Sequence, residues 1–550
     1  MNDNTPGLPE AQKVLNKYLS VRSKALQNLD RYVDGTQYAH LDDWFSDRKP
    51  LWERAPCIVY PIVKAAIDSN SDLLLGDGRF PSPRVDGLSG EEAETFEKAV
   101  QKVIQQSRLK VAAREAFAAG QGCGSACAIF GLRGGRLFID TVPARWCEPT
   151  FDPEEPGSVA SLEIRYPYLA IEQTKQGERW VCKLFRRTIT ATEDIQYAPA
   201  TGLPDGKEPS WKKERVVEHG LGFCPVVWFA HLKGCAAVND FDGQAIHAHL
   251  TDEIRAHDFA LSQRHRAALY AGDPQWTEIG VEPGYNPTGP GARKAEVPAT
   301  TFGRPGENVV GGWVSEPASK GKARKKSPGT VWQYPGKNPE TKVELHALPG
   351  DALDAIDKHA RDLRSKLSEA LGVVFLDLEA LPNESRLSGR ALESAKARQL
   401  DRVNYYRSDF GDKFLLPALG MLLRIAIEAG LKIEGLDVVK KLTSGEDWSW
   451  HFPPIDLAWG DYFRPSGEEE FLLMQAAEKA KTCGIATTRV LVEKLRSVLG
   501  IKDVDAYMDE LKEEQEEAMA REQEMLETEA KIAATHAPKP AAKPAAKASK

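Results

Sequence analysis

Four signatures are missing from these 550 residues. There is no Gly-x-x-x-x-Gly-Lys-Ser/Thr, no Gly-x-Gly-x-x-Gly opening a helix, no Gly-x-Ser-x-Gly and no His-Glu-x-x-His. Carboxylates form no cluster at a recognisable spacing either, so no catalytic constellation is read. Gly122-Cys-Gly124 and Gly131-Leu-Arg-Gly134-Gly135 have the wrong spacing for a phosphate loop and are expected to be hairpin turns. Eight cysteines include no Cys-x-x-Cys, and no His stands at metal spacing beside them; buried free thiols in a reducing compartment are expected. His247-x-His249 falls short of a shared helical face, so neither a metal site nor a cofactor is expected. The beginning of the sequence carries no basic and then apolar leader, and Pro417 to Ala429, the longest apolar run, is broken by Arg424. No membrane contact is expected, and the chain is placed in the cytosol or with something assembled there.

A basic excess is missing too. The formal charge is −8, and Asp509 to Lys531 holds ten acids and three bases, a net −7, which leaves the rest at −1. A protein that grips nucleic acid electrostatically more often shows a basic domain. The length allows two to four domains with cores of their own.

What is present is organised around Ser388 to Gly430. Leu392, Ala395, Gln399/Leu400, Val403, Tyr406, Phe410 and Phe414 recur every three or four positions, the spacing of one helix face. Ser388 is expected to cap this rod, Pro417 to end or kink it, and Gly430 to stop its continuation. A second pattern, Leu353, Ile356, His359/Ala360, Leu363, Leu367 and Ala370/Leu371, ends at Gly372 and is expected to be its long partner. Between them Val373 to Leu387 reads as a constrained loop. On periodicity alone the pair is equally an ordinary helical hairpin in a large domain.

Before this lie expected helices over Glu10 to Tyr32, Glu91 to Gln106 and Leu109 to Ala119. Short strands follow over Ser125 to Phe130, Arg136 to Val142, Leu162 to Tyr168, Trp180 to Phe185 and Val226 to His231. The first ~240 residues are therefore α+β. Asp240 to Tyr270 reads as one helix with little apolar area per turn. Asp273 to Pro349 is rich in Gly and Pro and carries the basic run Lys320, Lys322, Arg324, Lys325 and Lys326. Short strands are expected there at Trp276 to Val281, Val331 to Tyr334 and Lys342 to Leu345. The basic run is a solvated loop or a contact to an acidic partner or phosphate. At the end, His536 to Lys550 is a Lys/Pro/Ala tail of disordered composition.

This order of elements resembles that of tailed-bacteriophage portal proteins, the head-tail connectors. The pieces that carry the likeness are a helix, a small β excursion, the strand VWQYPG, a second helix, a loop, and Ser388-Gly-Arg-Ala-Leu392 opening a very long helix. Cys57 to Gly76 running into Arg79-Phe-Pro81 is similar to the family's early helix and turn. Downstream, Ser449-Trp-His-Phe-Pro-Pro and the stretch ending Lys481-Thr-Cys-Gly484-Ile485-Ala-Thr487 are similar to its later strand and helix turn. The ordered set, covering most of residues 55 to 515, is more specific than any one motif.

The resemblance implies an α+β, portal-like fold: an α/β wing, a helical stem, a small β-rich clip, a long kinked helix and a helical crown. By segment it implies an N-terminal wing (1–239), stem helices (240–271 and 350–372), a clip with its basic loop (272–349), a tunnel loop (373–387), a long wing helix (388–430), wing strands (431–466), crown helices (467–531) and the tail (532–550). It further implies a homo-oligomeric ring, dodecameric in the family, at one capsid vertex of a virion assembled in the host cytoplasm. The ring passes duplex DNA during packaging and ejection, and it meets terminase, major capsid and scaffolding proteins and a head-tail adaptor. Channel-facing cations would be Lys358, Arg361, Arg386 and Arg390. The tunnel loop would include Val373, Phe375, Leu378, Pro382 and Asn383, and the partner-binding clip loop Lys320 to Lys326. The residues leave open a capsid adaptor outside the portal family, or a DNA-processing, terminase-like subunit.

Excising Lys320 to Lys326 is expected to leave rings intact and to weaken docking of the packaging motor in a co-sedimentation assay. Loss of ring assembly instead would show that the loop is misplaced.

Overall fold

A computed structural model describes residues 7–42, 44, 50–76, 78–85, 90–155, 157–174, 177–232, 240–272, 275–279, 331–334, 342–346, 350–375, 389–442 and 453–460, with scattered positions between 462 and 521. Helix and strand make up 51% and 23% of it, the mixture of an α+β protein. Two units divide the chain. The first holds Met1–Val85, Thr95–Leu376 and Arg398–Trp459; the second holds Asp86–Glu94, Asp377–Ala397 and Gly460–Lys550.

In the first unit, the single helix expected over Glu10 to Tyr32 is two, α1 (Leu8–Tyr18) and α2 (Val21–Asp34). Leu19 is extended, and the Ser20 hydroxyl accepts from the Ser23 N–H at 3.0 Å, capping a new helix rather than continuing the old one. After α3 (Ile62–Leu75), which begins only beyond Pro61, comes the short β1 (Ser82–Arg84). Helices α4 (Gly90–Ser107) and α5 (Leu109–Cys123) follow as expected. Gly124 closes α5 in the left-handed conformation, its N–H donating to the Gly120 carbonyl at 2.8 Å. Gly122-Cys-Gly124 is thus a helix end and not a hairpin turn. The other glycine run is a hairpin: Gly134 and Gly135, at φ 59° and 75°, join β2 (Ser125–Arg133) to β3 (Arg136–Val142).

Two sheets form. One has the order β10-β2-β3, with β10 at Val226–Ala230. The other runs β4 (Cys147–Phe151), β5 (Val159–Thr174), β6 (Gly177–Ile189), β7 (Glu193–Tyr197) and β9 (Lys213–Glu218), with β8 (Ala200–Thr201) beside β6. All pairs in both sheets are antiparallel. The smaller sheet is covered on both faces along β10, all of whose five residues are buried, and along the first six residues of β2, while β3 is largely half-buried or exposed. Cys127, Ile129, Val226 and Trp228 meet Cys147, Val159, Leu162 and Ile164 of the larger sheet. The opposite face meets helices: Phe229 lies against Phe410 and Phe414, with ring centroids at 5.0 and 6.4 Å, and Phe117 of α5 lies 5.2 Å from Phe410.

Phe410 ends α8 (Gly389–Phe410). The residues Gln399, Leu400, Val403, Tyr406, Phe410 and Phe414 are all buried, as their spacing predicts. The partner predicted for this face is corrected: it is α5 and β10, whereas α7 (Gly350–Leu371) packs beside α6 (Thr251–Gly272). Pro417 neither ends nor sharply breaks the rod. A π-helical turn, Gly411–Leu415, runs directly into α9 (Leu416–Glu428), with Pro417 at its start. Gly430, at φ 59°, ends α9 as expected.

Helix α6 starts eleven residues later than expected because Asp242 is bound elsewhere. Its carboxylate accepts from Arg22 Nε at 2.6 Å, Arg22 Nη2 at 2.8 Å and Ser125 Oγ at 3.0 Å, while Arg22 also donates to the Cys147 and Ala144 carbonyls. Asp242 is fully buried, so this network anchors 240–250 as non-helical chain. The three expected clip strands are present as β11 (Gln275–Ile279), β12 (Val331–Tyr334) and β13 (Lys342–His346), in the order β12-β11-β13. Expected wing strands over 431–466 are corrected: the described residues there hold a helix, α10 (Leu436–Leu442), and one strand, β14 (Asp456–Ala458), paired with β1. The described positions of the second unit from 474 to 521 are helical. Ser388, the segment 449–452 and the tail lie outside the described residues.

Six described cysteines are free; Cys57 is exposed and Cys123 partly so, while Cys127, Cys147, Cys182 and Cys224 are buried. His231 and His247 are fully buried. Burial pushes His231 down to about 3, with the positive charges of Lys413 and Arg402 adding to it, and pushes His247 down to about 4 against the opposing hydrogen bond to the Leu29 carbonyl. Both are neutral in the native state, so the unfolded chain binds protons first as pH falls. Stability is full above about pH 6.5 and declines toward pH 4, by about 2 kcal/mol per histidine at pH 5. His231 has no hydrogen-bond partner on either ring nitrogen among the described residues. His231→Phe is therefore expected to leave stability at pH 8 nearly unchanged and to remove about 2 kcal/mol of the loss at pH 5, read from urea midpoints.

Candidate functional site

The site assembled by the sequence pattern is the pair α6 and α7 with the turn that follows them. Helix α7 buries Ala360, Leu367 and Leu371, and α6 buries Ile254, His257, Ala260 and Ala267. Ile254, Leu367, Leu371 and Val373 join Ile62, Val63, Ala66 and Ile67 of α3 in one apolar cluster. Asp357 crosses the pair electrostatically: Arg264 of α6 reaches one oxygen at 2.7 Å, and Arg361, one turn on in α7, reaches the other at 2.7 Å. The i, i+4 spacing of Asp357 and Arg361 is visible in the sequence; the bond to Arg264 is not.

Of the expected channel cations, Arg361 is thus exposed and paired with Asp357, and Lys358 is exposed. Arg390 lies in the first turn of α8, its side chain outside the described residues, as is Arg386 altogether. The outer positions of α6 and α7 carry both signs. Arg255, Arg264, Lys358, Arg361, Arg364 and Lys366 stand among Asp252, Glu253, Asp351, Asp354, Asp362 and Glu369, all exposed.

At its end α7 turns sharply. Gly372, at φ 67°, donates to the Glu369 carbonyl, and Val373 N–H to the Ser368 carbonyl, each at 3.0 Å. Arg402 of α8 donates to the Leu371 carbonyl at 2.6 Å. Beyond the turn, Val373 is 2% exposed and Phe375 packs against the same cluster, so these two expected tunnel-loop residues are the packed base of the segment. Leu378, Pro382 and Asn383 lie outside the described residues, as do Lys320, Lys322, Arg324, Lys325 and Lys326.

A buried amide relay fastens that base. Gln399 of α8 accepts from Val374 N–H at 3.3 Å and donates to Asn70 Oδ1 and Ser69 Oγ at 3.0 Å, and Asn70 donates to Gln121 Oε1 at 2.9 Å. Asn70, Gln121 and Gln399 are all fully buried. The sequence signal was a glutamine on the apolar face of α8; its partners lie on α3 and α5 and have no sequence spacing to announce them.

Among the described residues no group of three or more His, Cys, Asp or Glu side chains is placed to hold a metal ion, and no helix is long and apolar enough to cross a membrane. Comparison with protein-family models gives no match, and comparison with curated proteins gives none.

Gly372→Ala is expected to cost about 2 kcal/mol, since it forces a side chain into the left-handed region and its Cβ runs into the Arg402 guanidinium. The thermal midpoint reads this out, and an unchanged midpoint would show that the turn relaxes freely.

Proposed function

We propose that this chain is a portal protein of a tailed bacteriophage, a ring-forming subunit without catalytic activity. The carrying observation is the excursion α6, β11-β12-β13, α7. One helix leads out to a small three-stranded sheet, another leads back, and the two are packed along each other. A long α8 with a π turn and α9 comes next, in the same order as in that family.

On this reading α6 and α7 are the stem, β11 to β13 part of the clip, the segment beginning at Val373 the tunnel loop, and the helical positions from 474 onward the crown. Closed rings arise from heterologous contacts, in which one patch of each copy meets a different patch of the next. The outer faces of α6 and α7, polar and of both signs, suit neighbours or channel water. They also suit moving DNA. Each phosphate held by Lys or Arg releases counterions and deepens binding, so a duplex that must slide is best served by cations offset by nearby acids. The Asp357 carboxylate, held between Arg264 and Arg361, is such an offset. The partners on this reading are duplex DNA, terminase, capsid and scaffolding proteins and a head-tail adaptor, and the location is a capsid vertex of the virion.

Mass photometry of the purified full chain tests it. A species of about twelve copies of the 60.7 kDa chain is expected, with a ring in negative stain. A monomer with nuclease or ATPase activity would instead favour a DNA-processing subunit.

A further inference from the structure

The larger sheet has two outer strands, and the chain treats them differently. On β4, Pro149 has no N–H to offer. The Cys147 carbonyl accepts from Arg22 Nη1 at 2.8 Å, and the Cys147 N–H donates to the Ala144 carbonyl. That edge is closed. On β9 all six residues are exposed, and no further strand pairs with it among the described residues.

Bonded and unbonded pairs alternate along an antiparallel ladder. His219 N–H donates to the Thr192 carbonyl at 3.0 Å, so the pair Asp194 and Val217 is bonded in turn. Glu218 and Val216 therefore point their own N–H and C=O groups away from β7, where the described residues give them no partner. The smaller sheet ends in a second open edge, β3. Phe130 N–H donates to the Pro225 carbonyl at 2.9 Å, which turns Phe130 toward β10 and leaves the opposed Ile139 unbonded on the β2 side. By the same alternation Leu137, Ile139 and Thr141 direct their backbone groups outward.

These two edges match each other. When they are laid antiparallel so that outward groups meet, Leu137 faces Glu218 and Ile139 faces Val216, each pair exchanging two backbone hydrogen bonds. Phe138 then opposes Val217, and Asp140 opposes Arg215, in the unbonded pairs whose side chains come closest. Val216 and Val217 are 44% and 37% exposed, apolar β-branched side chains left in water on both faces of the edge strand. Asp140 and Arg215 are exposed, and neither forms a hydrogen bond or an ion pair among the described residues. No like charges face one another in this register. A shift of two residues either way, the least that keeps outward groups matched, parts Asp140 from Arg215.

Within one chain β3 and β9 belong to different sheets and do not pair. We propose that β9 of one copy adds to β3 of the next, joining the larger sheet of one subunit to the smaller sheet of its neighbour. One edge meets a different edge, so the contact is heterologous, the kind that closes rings. The inference rests on the portal reading for its ring, and it names the backbone contact that holds neighbouring subunits.

The test is mass photometry of the full-length protein and its variants over a range of concentrations. Val216→Pro removes an outward N–H and spares the bonds to β7, so it is expected to abolish rings with the thermal midpoint nearly unchanged. Arg215→Asp and Asp140→Arg, each at an exposed side chain, are expected to raise the concentration needed for rings at least about tenfold. Both changes in one chain are expected to restore assembly. Rings from Val216→Pro or Arg215→Asp at the wild-type concentration overturn this contact and leave the portal reading standing. So does a double variant that assembles no better than the single ones. A wild-type chain that stays monomeric overturns both.

Discussion

The first unit depends on a sheet whose central part, β10 and the first six residues of β2, is buried on both faces. Strands β10, β2 and β3 alternate their side chains between the larger sheet and a wall of aromatics on α5, α8 and the π turn. Phe410 and Phe414 stack at 4.9 Å with their planes 11° apart, and Phe229 meets Phe410 edge-on. That stack needs residues four apart to lie one above the other at the point where the helix changes pitch. The π turn at Gly411–Leu415 absorbs the change. Glycine at 411 leaves room there for Leu457 and Trp459, and the rod continues through Pro417 into α9.

From this anchored rod the polar contacts run outward. Gln399 and Arg402 sit on successive turns of α8. One holds the Val374 N–H through a side-chain oxygen; the other holds the Leu371 carbonyl. The turn after α7 is therefore fastened to the same helix that closes the core, while α7 is otherwise paired with α6 through Leu367, Leu371, Ile254 and the Asp357 bridge. The arrangement leaves one side of α6 and α7 packed on α3 and the other lined by exposed charges of both signs. One buried side and one charged side are the features on which the proposed ring reading of this pair rests.

Much of this was legible in the sequence, because period and punctuation are local. The buried line from Gln399 to Phe414, the hairpin at Gly134-Gly135, the ends at Gly372 and Gly430 and the three short strands of the insert were all read from spacing. What escaped had causes that apolar spacing does not show. The break at Ser20 is local capping that an unbroken apolar pattern concealed. The late start of α6 is imposed by Arg22, some 220 positions before Asp242. Strand β9 was missed because all six of its residues are exposed, leaving no alternation to detect. The partner of α8 was misassigned to α7 because matching apolar lines show that two helices are amphipathic, not that they face each other. Within the site, Lys358 and Arg361 were nominated by residue type alone, whereas the contacts of Asp357, Arg264 and Arg402 come from neighbours that folding alone supplies.

The central claim is that α6 and α7 turn their charged side toward sister copies and a shared axis. A cryo-electron-microscopy reconstruction of the full chain tests it most directly. The account predicts a closed ring in which α7 lines the central passage and Lys358 and Arg361 lie within reach of the axis. A reconstruction in which this pair sits on an outer rim, or a particle with no passage at all, would contradict it.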